Sequence, residues 1–166
     1  MSDIKIRKGV PEDADAIMAV YDAARKYMRA NGNFNQWING YPSREEVLAD
    51  IGGGNNYVGE DAGGRIVMAF AFFIGEDPTY AVIEDGAWLN DRPYGTIHRL
   101  GSDGKYPGML KACIDYCFTQ TGNLRFDTHA DNRIMLAAAR SLGFRRCGII
   151  YCSDGSPRIA FQKTLE

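Results

Sequence analysis

The stretch IHRLGSDGKYPGMLKACIDYC, Ile97 to Cys117, changes its periodicity in the middle. Residues 96–103 read as a strand. Residues 108–120 read as a helix, with Leu110, Cys113, Ile114, Cys117 and Phe118 recurring on one side and Gly122 as its stop. Leu124 to Thr128 reads as a second strand. A strand, helix and strand joined this tightly require a right-handed crossover, and hence a parallel strand pair.

Working outward, Asp131-Asn132 heads another helix with Met135, Ala138, Ala139 and Leu142 on one face. Gly143-Phe144 ends it and leads into the strand RRCGIIYC. Asp154-Gly155 is a two-residue hairpin signal, and PRIAFQKT returns as the last strand. Upstream, IKIRK alternates as a strand. Pro11 opens a helix striped by Ile17, Val20, Tyr21, Ala24 and Met28, which Asn31-Gly32 ends. Ser43 and Glu46 form a capping box for a short helix that stops at Gly52-Gly53-Gly54. NYVGE, RIVMAFAFFIG and YAVIE read as strands of an antiparallel meander, the first two separated by Asp61 to Gly64. The expected order is β α α β β β β α β α β β. This is an α/β, mixed and mostly antiparallel sheet with one parallel β-α-β crossover and helices on both faces, in a single domain spanning residues 1–166.

With 166 residues, 45% of them hydrophobic, one core is expected. A net charge of −2 offers no field towards nucleic acid or an anionic membrane. No apolar run is long enough to span a bilayer, and MSDIKIRKGV lacks a signal-peptide pattern, so a soluble cytoplasmic protein is expected. Cys113, Cys117, Cys147 and Cys152 form no C-x-x-C pair and read as buried reduced thiols rather than a metal or redox site. The edge strands leave a homodimer open.

The turn between Ser102 and Met109 lies where the winding of the sheet changes, the place where α/β sheets bind ligands. Gly104 and Gly108 let backbone approach a bulky anion, Lys105 adds charge, and the next helix presents unpaired N–H groups. A glycine-rich turn is also a common structural device. Two blocks here resemble the GNAT acetyltransferase superfamily. HRLGSDGKYPGMLKACIDYC looks like its cofactor strand, Q/R-x-x-G-x-G/A loop and helix. DNRIMLAAARSLGFRRCGII is similar to its Asn-headed helix running through Gly-Phe into a strand. On the loop motif Lys105 replaces Gln or Arg, Gly108 matches, and Leu110 stands where Gly or Ala is usual.

The resemblance implies transfer of an acetyl group from acetyl-CoA to an amine, with the cofactor in a splay between the strands ending at Ser102 and Thr128. Leu100 and Ser102 would meet the pantetheine arm, Gly104, Lys105, Tyr106, Gly108 and Met109 the pyrophosphate, and Asn132 the arm from the other side. An N–H near Leu100 or Gly101 would stabilise the oxyanion. The family's acid, a Tyr seven residues after the Asn, is Ala139 here. Tyr151 is the candidate substitute, or half-buried core. His98, unusual in a central strand, is a candidate base or a histidine satisfied by a carbonyl. His129 is a candidate base or a turn cap, and Glu84 a base, a water relay or a solvated strand end. Arg99 is expected to pair with a carboxylate such as Asp127. The loop Asn33 to Pro42 carries Phe34, Trp37 and Tyr41, an acceptor wall or an apolar plug, and Trp88 offers the opposite wall for a small-molecule amine. Two other readings are the same fold binding acyl-CoA without turnover, and a doubly wound nucleotide binder.

Overall fold

The computed structural model describes residues 3–165. A seven-stranded sheet runs in the order β1-β2-β3-β4-β5-β7-β6. Its strands are β1 (Lys5–Lys8), β2 (Asn56–Glu60), β3 (Ile66–Ile74), β4 (Gly95–Ser102), β5 (Asn123–Thr128), β6 (Arg145–Tyr151) and β7 (Pro157–Thr164). The helices are α1 (Ala14–Ala30), α2 (Arg44–Gly52), α3 (Met109–Phe118) and α4 (Arg133–Ser141). Every strand pair is antiparallel except β4 with β5, the parallel pair that the Ile97–Cys117 stretch requires.

Two larger cores sit on opposite faces of the sheet. Ile17, Val20, Tyr21 and Ala24 from the α1 stripe pack with Val47 of α2 on Val58 and Ala69. Cys113, Ile114 and Cys117 of α3 pack with Ala139 of α4 on Phe70, Phe72, Ile97, Leu124 and Phe126. The alternation along β3 and β5 sorts these side chains, since neighbouring residues of a strand face opposite ways. The cysteines are free thiols, three of them buried and Cys152 half-buried. Both predicted caps form: Ser43 with Glu46 makes a reciprocal box, and the Asn132 side chain accepts from the Met135 N–H.

Three local expectations are corrected. YAVIE is not a strand. The Asp77 carboxylate accepts from the N–H and hydroxyl of Thr79 and folds Pro78–Tyr80 into a 3-10 turn, so Tyr80 turns inwards. Only Glu84 bridges, pairing with Ile149 through two backbone hydrogen bonds of 2.9 and 2.8 Å. That crossing needs Gly148, where a Cβ would lie 2.5 Å from the Glu84 carbonyl oxygen. The β6–β7 hairpin closes on Cys152 and Ser156 around three residues, with Gly155 at φ +85°. A single 3-10 turn, Pro11–Asp13, precedes α1.

Candidate functional site

β4 and β5 pair only at Gly95 with Leu124 and Thr96 with Arg125, then part. Beyond Thr96 the β4 edge towards β5 has no strand partner, so backbone groups are left for something else to satisfy. A cavity of about 580 Å³ opens there, lined by Ile97 to Leu100, Phe126 to Thr128 and Asn132. A smaller one of about 170 Å³, between α1 and the starts of α3 and α4, shares Met28, Leu100, Leu110, Asn132 and Met135 with it.

β4 also carries a bulge. Ala71 faces His98 and Ala69 faces Gly101, so three steps on β4 match two on β3. Arg99 sits in the bulge at φ +52°, and the Tyr21 hydroxyl donates to its carbonyl oxygen over 2.7 Å. A bulge re-aims the side chains around it. Arg99 is thereby turned to the α1–α2 side of the sheet, where its guanidinium forms a bidentate pair with Asp50 at 2.8 Å and donates to the Tyr41 hydroxyl. The expected pairing of Arg99 with Asp127 is not made, because the bulge sends Arg99 towards α2.

The loop from Asn33 to Pro42 forms the outer wall. Arg29 of α1 donates to the carbonyls of Asn33, Gln36 and Trp37, and Arg25 to that of Tyr41. Trp37 is buried edge-on between Tyr21 and Tyr41. Gln36 reaches over the splay to the side chains of Thr128 and Asn132 at 3.4 and 3.2 Å. Among the described residues four non-glycines have positive φ, and Trp37, Asn39 and Arg99, three of them, line the cavity. Such backbone costs about 1–3 kcal/mol per residue and persists where surrounding contacts over-determine it.

At the cavity floor His98 lies between two carboxylates. Its Nε2 hydrogen-bonds Asp77, and its Nδ1 lies 3.9 Å from Asp127 Oδ1. Burial pushes the Asp77 carboxyl up, but the hydrogen bonds from His98 and Thr79 outweigh it and hold it at about 2. An ionised Asp77 accepts only, so Nε2 is the donor, and in the neutral ring the lone pair is on Nδ1, the nitrogen nearer Asp127. Asp127 differs. Burial raises its carboxyl above the usual range, although His98 and the Tyr80 hydroxyl, which donates to Oδ1 over 3.0 Å, pull it back.

The structure brings His98, Leu100, Trp37, Tyr41 and Asn132 to one cavity, with Gly101, Ser102 and Met109 on its smaller neighbour. Gly104, Lys105, Tyr106 and Gly108 form the turn beyond. Tyr106 donates to Asp61, and at Gly104 and Gly108, φ +79° and +78°, a Cβ would meet nothing within 4 Å. Other candidates lie away from the cavity. Tyr151, 41% exposed, donates its hydroxyl to Glu84, and neither lines it. His129 caps a turn, its Nδ1 accepting from the Asp131 N–H, and burial holds its imidazole below the ordinary range. Phe34 is 61% exposed. Trp88 packs on Tyr80 and under the Arg125 guanidinium, donating to the Tyr80 carbonyl. Asp77, Thr79, Gln36 and Arg158 line the cavity and were not singled out from sequence. The Asp77-Pro78 pair, a turn-initiating dipeptide, was the one local signal for them.

No protein-family model matches the chain, and no curated protein matches it. Solved structures do. A GNAT-family acetyltransferase from Streptococcus agalactiae is 30% identical, aligned over 98% of this chain and 96% of that one with a TM-score of 0.89. The chain belongs to the GNAT family of acetyltransferases. The GNAT fold is shared at lower identity by a Listeria monocytogenes acetyltransferase of the family, 17% identical with a TM-score of 0.72 over 98% of this chain and 95% of that one. An agmatine N-acetyltransferase, 13% identical, has a TM-score of 0.61 over 98% of this chain and the whole of its own. In this GNAT chain Ala139, at the position of the family's tyrosine, is fully buried against the sheet, with its carbonyl bonded to the Phe144 N–H.

Proposed function

We propose that the protein transfers the acetyl group of acetyl-CoA to the amine of a small molecule, with both substrates in the splay at once. The observation that carries this reading is His98, which lines the cavity where β4 and β5 part, held through Nε2 by Asp77 with Nδ1 3.9 Å from Asp127.

The residues around the splay fit acetyl-CoA. The turn at Gly104 and Gly108 is open to a bulky anion, and the first N–H groups of α3 have no partner within the helix. Lys105 adds a cation. The unpaired β4 edge near Leu100 and Ser102 suits the amides of an extended arm, and a β4 N–H near Leu100 or Gly101 suits an oxyanion. Leu110 lines both cavities, so it borders the arm rather than closing the route. Bound there, acetyl-CoA would supply an acyl thioester, whose C–S bond breaks as the amine forms its C–N bond.

An alkyl ammonium has a pKa of about 10, so the site must remove a proton before the nitrogen is nucleophilic. His98 Nδ1 takes that proton, Asp77 fixes the ring tautomer, and Asp127 faces the resulting imidazolium. The amine's second proton leaves as the amide forms, balancing the leaving thiolate. With a thiol pKa of about 8.5 by analogy with Cys, that group departs without a dedicated acid, so neither Tyr151 nor a tyrosine at position 139 is needed.

Release of coenzyme A thiol from acetyl-CoA over a panel of primary amines tests the reading. His98→Ala should cut kcat/KM by about 10²–10⁴ while leaving acetyl-CoA affinity within about twofold. Unchanged turnover in His98→Ala would remove the base. The second reading is an acyl-CoA-binding module without turnover, favoured by the buried Ala139. Binding with no thiol release from any amine would select it.

A further inference from the structure

We infer that the acceptor is an amino acid, its ammonium held at Asp127 beside His98 and its carboxylate at Arg158. The inference names the substrate class of the acetyl transfer proposed above and rests on that reading for the reaction, though not for the binding.

Arg158 is half-buried and lines the same cavity as Asp77, His98 and Asp127. It lies on β7, where Ala160 pairs with Asp127 across the β5–β7 ladder. Residues two apart on a strand share a face, so Arg158 and Asp127 are diagonal neighbours on the same face, about 7–8 Å apart at the backbone. Their side chains do not pair with each other. Among the described residues no carboxylate lies within 4.0 Å of the Arg158 guanidinium. Nη1 donates to the Ser156 hydroxyl and the Pro157 carbonyl, and among the described residues Nη2 and Nε have no acceptor. Asp154 lines the same wall, but its Oδ1 is taken by the Ser156 N–H and hydroxyl.

The other cavity arginine shows the contrast. Arg99 is fully engaged by Asp50 and Tyr41 and has little left for a ligand. Arg158 therefore presents a planar fork into the cavity, the geometry that matches a carboxylate with two hydrogen bonds. Opposite it, Asp127 accepts from Tyr80 through Oδ1, and Oδ2 has no hydrogen-bond partner among the described residues. A positive and a negative site on one face of the sheet fit a zwitterion whose ammonium and carboxylate are borne on the same carbon. A diamine would set a second cation against Arg158, and a plain alkylamine would leave the fork unpaired. Buried Trp37 and half-buried Tyr41 offer an apolar wall for the side chain.

The test is calorimetric titration of the whole protein with two matched pairs: L-leucine against isoamylamine, and L-phenylalanine against phenethylamine. Each amino acid should bind about tenfold or more tightly than its decarboxylated partner. Arg158→Met should bring that ratio to within about twofold, and Arg158→Lys should fall between. Equal or tighter binding of the amines by the unaltered protein would overturn the inference, as would absence of amino-acid binding or a preference that survives Arg158→Met. The comparison on the unaltered protein stands even where a variant folds poorly. Thiol release in the same samples separates the two ideas. Amino-acid binding lost in Arg158→Met but never followed by turnover keeps this site and sinks acetyl transfer. Turnover with no carboxylate preference keeps acetyl transfer and removes this site.

Discussion

The imidazole of His98 has one nitrogen bonded to Asp77 and the other directed at Asp127, and the two carboxyls are shifted in opposite directions. Asp77 is held at about 2, below its ordinary 3.8, so its stabilising contribution is full above pH about 4 and disappears as pH falls through 2. Asp77→Asn should flatten the acid limb of the stability curve between pH 4 and 2. It should also lower kcat by at least about tenfold, because an amide no longer forces the proton onto Nε2. An unchanged limb, followed by circular dichroism, would contradict the pairing. Asp127 has the other sign. A carboxyl raised by burial stabilises while protonated and loses that contribution as pH rises through its folded value. Asp127→Asn should therefore raise the melting temperature at pH 7, with the gain shrinking towards pH 4, while acceptor kcat/KM falls. A lower melting temperature at pH 7 would contradict this. His98 was legible in the sequence because an imidazole is out of place in a central strand. Asp77 and Arg158 were not, since their meaning comes from chain segments 21 and 60 residues from His98 that the fold brings to one floor.

At the scale of elements, the bulge in β4 does most to shape the site. It gives Arg99 a left-handed backbone, turns its side chain to α2, and lies where the strand leaves β5. The Tyr21 hydroxyl holds the bulge from α1. Tyr21→Phe leaves a buried carbonyl without its donor and should cost about 1–3 kcal/mol in urea unfolding, with weaker acetyl-CoA binding. A loss below about 0.5 kcal/mol would mean that the bulge stands without it. Helices, caps and the crossover could be read from the sequence because each has a local period or cap residue. The bulge could not, since it is a register difference between two strands and neither strand alone encodes it. YAVIE misled for a related reason: its residues favour strands, but the Asp77 turn before it and the close crossing at Gly148 take most of it off the ladder.

The whole molecule is a mixed sheet parted at its one parallel pair, with helices on both faces and the Asn33–Pro42 loop held over the opening by Arg25 and Arg29 of α1. Among the described residues no helix is long and apolar enough to cross a membrane, and no cluster of three or more His, Cys, Asp or Glu is placed to hold a metal. Apart from YAVIE, the GNAT layout was legible from the order of elements and the Asn132 and Gly143-Phe144 block. The proposed acceptor pocket was legible through His98, Trp37 and Tyr41 but not as a whole, because its charges come from four separate segments. The central claim is that the parted strands and the Gly104–Gly108 turn form an acetyl-CoA site. Calorimetric titration of the purified protein with acetyl-CoA, against ATP and NADH, tests it most directly. Saturable binding of acetyl-CoA, with none for ATP or NADH and a marked loss in Gly108→Val, is the predicted result. No binding of acetyl-CoA, or equal binding of all three, would contradict it.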